Sequence, residues 1–407
     1  MRKKRFSYII EATIAPSVSE AEGEAIQRIA ARNPRAAAGE GAGRTRKGII
    51  MGRSHDPLFD DGRRKHPFIG FFILLLALII ATVAVLNTIS NSRVSLLKQS
   101  VTVPNLPSSL ENFRILHISD LHGLYFGPHQ EQVQAAIASA QYDIVCVTGD
   151  ITGKDGDMGA FLELLKLFGE KPVYFIPGDE DPAALITAPH AGDSPLADYI
   201  RAAQSQGAVY LDAPVRIDRG KGTIWLCPAW VYTLNYEGSL NAYQARQAEL
   251  LAMAASPERD AALAAVAYQL DQLDRIRQAW RENLESHVHI GMTHVPLQES
   301  VLQNLREWTA SDNDAHIRSI SLVLAGHNVA GQWRVPGVDA VRAPDASGEG
   351  GEWFPEDRKV TGLSTTHGIS QYISPGLGAS AAIGLPPIRL FNTPSVTVIT
   401  LTSKLTF

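Results

Sequence analysis

The sequence predicts an α/β fold preceded by a single N-terminal transmembrane helix, and three observations carry that expectation. Short apolar runs over 115–118, 144–148 and 173–176 read as buried strands, with helical stretches over 130–140 and 159–168 between them. Twenty consecutive residues, PFIGFFILLLALIIATVAVL from Pro67 to Leu86, carry no charge. Each strand-like run ends in a carboxylate or an imidazole, and ligands of α/β sheets gather at the carboxyl ends of strands.

Taken in order, residues 1–66 lack sustained apolar periodicity and are rich in Ala, Gly and Arg, so they read as a disordered or loosely helical leader. This leader holds 14 Lys and Arg against 8 Asp and Glu, which leaves 23 against 34 for the rest of the chain. An acidic body argues against nucleic acid as a partner, because phosphate backbones are held through Lys and Arg. Met51 is an alternative start that would leave a short basic flank. The apolar run over 67–90 suits a transmembrane helix in length and is longer than the core of a signal peptide. Arg63, Arg64 and Lys65 abut its start, while Arg93 and Lys98 are dispersed beyond it. The positive-inside rule then puts the N-terminus in the cytoplasm and the main domain outside it, anchored by one pass through the cell membrane.

Residues 91–111, punctuated by Pro104 and Pro107, read as a tether, with the body over 112–407. A tether so short keeps the body close to the bilayer, so a substrate that is lipid-linked or at the cell surface suits it. Cys146 and Cys227 each lie inside an apolar run and read as buried thiols, without CxxC or Cys/His spacing for structural zinc. Residues 209–230 read as strands around the turn at Arg219 to Gly222. An Ala-rich helical insertion follows at about 237–286, its second part opening at Ser256-Pro257 and carrying Leu263, Val266, Leu270, Leu273, Ile276, Trp280 and Leu284 on one face. It reads as helices packed on the flank, or as a lid. The Gly-rich stretch 345–352 reads as a loop, and the alternating run over 395–401 as a terminal strand.

The chemistry is concentrated at the strand ends. The first is ILHISDLHG, where Asp120 and His122 would share one face of an extended segment. Gly149-Asp150 closes the second, Gly178-Asp179-Glu180-Asp181 the third, and downstream come His294-Val295-Pro296 and Gly326-His327-Asn328-Val329-Ala330-Gly331-Gln332. A carboxylate beside an imidazole suits Mn, Fe, Zn or Co better than Ca or Mg.

In order and spacing these blocks resemble the calcineurin-like metallophosphoesterases, particularly bacterial membrane-anchored members, whose signature is D-x-H, G-D, G-N-H-D/E, H-x-P and G-H-T-H-G-G-Q. The likeness continues through Trp333 to Gly337, Trp353-Phe354-Pro355, Ser374 to Ser380 and Pro387-Ile388-Arg389. It implies a sandwich of two mixed β-sheets flanked by helices, and one or two divalent metal ions. It also implies hydrolysis of a phosphate mono- or diester by a metal-activated hydroxide. One metal would take Asp120, His122, Asp150 and the last histidine of GHTH. The other would take Asp150, the Asn of GNH, His294 and His327, so that Asp150 bridges.

Three positions depart from the family pattern: Asp179 stands for Asn, Glu180 for the His of GNH, and Val329 for the final His of GHTH. A carboxylate oxygen can replace an amide oxygen on a metal, so Asp179 remains a candidate ligand. Glu180 becomes the candidate general acid. Val329 cannot bind a metal and leaves the first site three protein ligands, with His367 conceivable as a substitute. The alternative function is a catalytically impaired relative that acts as a metal- or partner-binding module.

Overall fold

The structure is a computed structural model that describes residues 67–190, 194–311, 320–335, 338–344, 351–355, 360–381 and 387–404. The leader over 1–66 and most of the Gly-rich stretch, 345–350, lie outside the described residues. In chain order the elements begin with helix α1 (Pro67–Asn91) and strands β1 (Ser95–Thr102) and β2 (Arg114–Ile118). Helix α2 (Glu131–Ile137), β3 (Ile144–Thr148), α3 (Gly159–Leu165), β4 (Val173–Ile176), α4 (Asp198–Ser205) and β5 (Val209–Tyr210) follow. Next come β6 (Val215–Arg219), β7 (Gly222–Pro228), α5 (Tyr236–Ala252), α6 (Pro257–Glu282), β8 (Val288–Met292), α7 (Glu299–Ser311) and β9 (Ile320–Ala325). The last elements are β10 (Trp333–Val335), β11 (Val338–Pro344), β12 (Gly351–Trp353), β13 (Gly362–Thr366), β14 (Ile369–Ile373) and β15 (Ser395–Thr402).

Two six-stranded mixed sheets, ordered β1-β15-β2-β3-β4-β5 and β13-β14-β9-β8-β7-β6, face each other, and β10-β11-β12 form a small third sheet. Period-two alternation divides the strand side chains between two cores. Ile115, Cys146, Tyr174 and Ile176 point inward to meet Leu226, Ile290, Leu324 and Tyr372 of the second sheet. Leu116, Ile118, Val145, Val147 and Phe175 point outward beneath α3 and α4, with Phe161, Leu164 and Ile200. Both faces of the central strands are therefore buried, which is why they read as unbroken apolar runs.

The tether expected over 91–111 is instead part of the body. β1 lies parallel to β15 in register from Ser95↔Ser395 to Thr102↔Thr402. As an edge strand it buries few side chains, and SLLKQSVT accordingly carries no apolar run by which a strand could be recognised. The helical insertion holds α5 and α6, with the Asn235 Oδ1 and Ser256 Oγ atoms capping their first turns at 3.1 and 3.2 Å. Arg275 of α6 pairs through Nη1 and Nη2 with the buried Asp212 carboxylate, both contacts 2.8 Å. Leu273 and Ile276 pack beside Val231. That pairing and packing make α6 a fixed flank. Helix α1 carries no charged residue, reaches a mean hydropathy of 3.1 over an 18-residue window within Phe68–Asn91, and is long and apolar enough to cross a membrane.

His117 lies wholly buried between the sheets, its Nε2 2.9 Å from Thr148 Oγ1. Burial pushes its pKa down from 6.5 to about 3. The unfolded chain therefore takes up a proton as pH falls below 6.5, whereas the folded chain takes it up only near 3. Stability is lost progressively across that window, by at most ~5 kcal/mol from this one group. In His117→Phe the loss between pH 6.5 and 3 should be visibly smaller in urea unfolding followed at several pH values.

Candidate metal centre

The loops at the carboxyl ends of β2, β3, β4, β8 and β9 meet above the two sheets. Asp120 and His122 are not extended: their φ angles are 55° and 48°, so it is not strand periodicity that aligns them. Two backbone bonds fix the loop instead, Asp120 N–H to the Gly149 carbonyl at 3.0 Å and His122 N–H to the Asp150 carbonyl at 2.8 Å. Asp150 (φ 51°) and His327 (φ 70°) share the left-handed conformation, which costs energy for residues with a side chain and clusters at functional sites. Gly149, at φ 81°, brings the β3 loop beneath His294, where an added Cβ would lie 2.5 Å from Nδ1.

Two donor groups result. Asp150, Asp179, His294 and His327 offer ligand atoms all within 4.8 Å of one another, and so do Asp120, His122 and Asp150. Asp150 belongs to both. His294 Nδ1 donates to the Thr148 carbonyl at 2.8 Å, which turns Nε2 toward Asp179 Oδ1 (2.7 Å) and Asp150 Oδ2 (3.2 Å). His327 Nδ1 stands 3.0 Å from the same Asp179 oxygen. His122 Nε2 is buried 3.7 Å from Asp150 Oδ2, with no hydrogen-bond partner among the described residues.

Burial acts to raise every carboxyl here, and for Asp120 it prevails. At Asp150 and Asp179, His294 and its neighbouring imidazoles outweigh burial and hold the carboxyls below the usual range. Burial opposes charge on His294, but Asp150 and Asp179 raise it well above the ordinary imidazole value. Carboxylates gathered around a buried imidazole favour positive charge there, which a metal cation can supply in place of the proton. The orphaned His122 nitrogen and the mixed imidazole–carboxylate donors fit a divalent metal.

Glu180 stands beside the first group, its Oε2 3.5 Å from His122 Nδ1, while its backbone N–H donates to Asp150 Oδ1 at 3.0 Å. The Ser380 hydroxyl donates to Glu180 Oε1. Val329 is fully buried at φ 49°, an unusual conformation for a β-branched residue, with its carbonyl held by Asn392 Nδ2 at 2.7 Å. His367 lies in the turn between β13 and β14, 3.8 Å from Glu299, and joins neither donor group. It does not stand in for the histidine missing at position 329.

Further residues brace the centre. Ser119 Oγ donates to Asp120 Oδ2. The Asp181 carboxylate accepts from the N–H groups of Ile151, Thr152 and Gly178, the shortest at 2.8 Å, and so locks two ligand loops together. Gln332 and Ser380 exchange two bonds of 2.7 and 3.1 Å. Buried Arg389 binds the carbonyls of Pro375 and Gly378 on the loop that covers Asp120. Their presence inside the motif blocks is the only signal of this the sequence carries.

A two-sheet sandwich flanked by helices, with Asp and His collected at its strand ends, defines an α/β fold with a site that could hold metal. A family model, that of the calcineurin-like phosphoesterases, matches residues 113–331, more than half of the chain, and the chain belongs to that family. No curated protein sequence matches it.

Proposed function

We propose that the protein is a membrane-anchored, metal-dependent phosphoesterase that hydrolyses a phosphate mono- or diester. The observation that carries this reading is the membership of Asp150 in both donor groups, which suits a carboxylate shared between two cations. Asp150, Asp179, His294 and His327 would hold one metal, and Asp120, His122 and Asp150 the other, with Mn, Fe, Zn or Co suited to the donors. Such cations supply Lewis acidity, activating water and neutralising charge on the phosphoryl oxygens. The chain's own part is positioning. Thr148 fixes the His294 tautomer, Asp181 fixes the loops, and Glu180, steadied by Ser380 and beside His122 Nδ1, serves as the acid that protonates the leaving oxygen. Helix α1 would cross the membrane with its N-terminus in the cytoplasm and the body outside.

A second reading, a weakened relative that binds metal or a partner without turnover, is favoured by Val329, which takes one ligand from the first group. The experiment that separates them uses the full chain in detergent with added Mn²⁺. Hydrolysis of bis(p-nitrophenyl) phosphate and p-nitrophenyl phosphate is measured against an Asp150→Ala control. Activity lost in the control supports the enzyme, and no activity above the control supports the binding module.

A further inference from the structure

The register of the first sheet fixes where the apolar helix enters the body. Thr397 of β15 faces His117 of antiparallel β2, so Ser395 lies level with Ser119, next to Asp120. Ser95 pairs with Ser395 in the same register. The chain thus leaves α1 at Asn91 and enters β1 at the end of the sheet where the metal-ligand loops emerge. Two strand spacings separate Ser95 from Ser119, about 10 Å.

The junction is bonded as well as near. Asn87 Oδ1 accepts from Phe391 N–H at 2.8 Å, Asn91 Nδ2 donates to the Arg389 carbonyl at 2.7 Å, and Ser90 and Thr393 hydroxyls meet at 2.8 Å. These three residues are the polar side of the last turn of an otherwise apolar helix. The loop they hold is the one whose Arg389 and Asn392 brace the Gly378 and Val329 carbonyls beside the centre. At 1.5 Å per residue, α1 is somewhat longer than the ~30 Å hydrocarbon core, which brings its last turn to headgroup level. Around this end of the body Leu124, Tyr125, Trp230 and Ile388 are exposed, on loops that follow β2 and β7 or precede β15. Tyr and Trp are the residues favoured at a membrane–water interface.

We infer that the metal-centre end of the body rests on the bilayer surface and that the site takes phosphate esters presented by lipid headgroups. This rests on the phosphoesterase reading and on α1 as a membrane span. In the reaction a water oxygen bonds to phosphorus, the P–O bond to the leaving group breaks, and the leaving oxygen takes up a proton unless it departs as a stable anion.

The test uses the full chain in phosphatidylcholine vesicles containing a headgroup spin-labelled lipid. Cys146 and Cys227 are buried, so a fluorophore can be placed on Ile388→Cys or, as control, on Lys221→Cys in the β6–β7 turn at the opposite end of the strands. Quenching at 388 and little at 221 is expected; equal quenching, or quenching only at 221, overturns the orientation. In parallel, turnover of vesicle-borne hexadecyl p-nitrophenyl phosphate should exceed that of dissolved methyl p-nitrophenyl phosphate at least about tenfold, through surface concentration. Turnover of the dissolved ester alone overturns the lipid substrate. Turnover of neither overturns it together with the phosphoesterase reading, and the quenching arm still decides the orientation.

Discussion

Asp150→Asn is expected to cut phosphodiester hydrolysis by on the order of 10²–10³-fold or more and to lower the metal content of the purified protein, with little change in its melting temperature. The asymmetry of the side chain's environment is the reason. One carboxylate oxygen, Oδ1, already accepts the Glu180 N–H at 3.0 Å, while Oδ2 faces the imidazoles of His294 (3.2 Å) and His122 (3.7 Å). An asparagine that keeps the first bond must turn its NH₂ toward the centre. It then presents a donor where both groups need an acceptor. The fold survives because the Glu180 bond survives, whereas the shared ligand is lost from both groups at once. Kinetics, metal analysis and a thermal melt on the same preparation check all three parts, and retained metal with retained activity would overturn the assignment.

The sequence displays the centre more fully than it displays the supporting structure, and the reasons are physical. Strands β2, β3 and β4 are buried on both faces, so their apolar runs stand out and the ligands at their ends stand out with them. Strand β1 is held by backbone pairing at an edge, and backbone pairing leaves no trace in residue type. For the same reason the acceptor that orients His294, a main-chain carbonyl of Thr148, is invisible in the sequence, although His294 itself is conspicuous. The D-x-H spacing suggested a shared strand face, yet Asp120 and His122 are brought round by left-handed turns stitched to the neighbouring loop. Val329 shows a different limit. Its identity told that a ligand was absent, while only the structure shows a β-branched residue held in a backbone conformation better suited to Gly or Asn.

Gly178→Ala should destabilise the body and weaken metal binding, by a route distinct from the loss of a ligand. Gly178 has an ordinary backbone conformation, so the cost is one of space. An added methyl would overlap Asp150 Oδ1 and the Asp150 backbone nitrogen, and would stand 2.8 Å from its Cγ. Neither side can readily yield. The Gly178 N–H is tied to Asp181 at 2.8 Å, and Asp181 also grips Ile151 and Thr152 on the β3 loop, so moving one loop from the other breaks that clamp. Overpacking of this kind costs roughly 1–3 kcal/mol, and here the strain falls on the one carboxylate common to both donor groups. The melting temperature should fall, and the metal concentration needed for half-maximal activity should rise, although every ligand is still present. Adding Asp181→Asn to Gly178→Ala separates the two effects, since loosening the clamp gives the methyl room. The double variant should then lose less additional stability than the two single changes sum to, a coupling that a double-mutant cycle measures directly. Simple additivity would mean that the loops were never held against each other and that Gly178 acts through something other than the contact with Asp150.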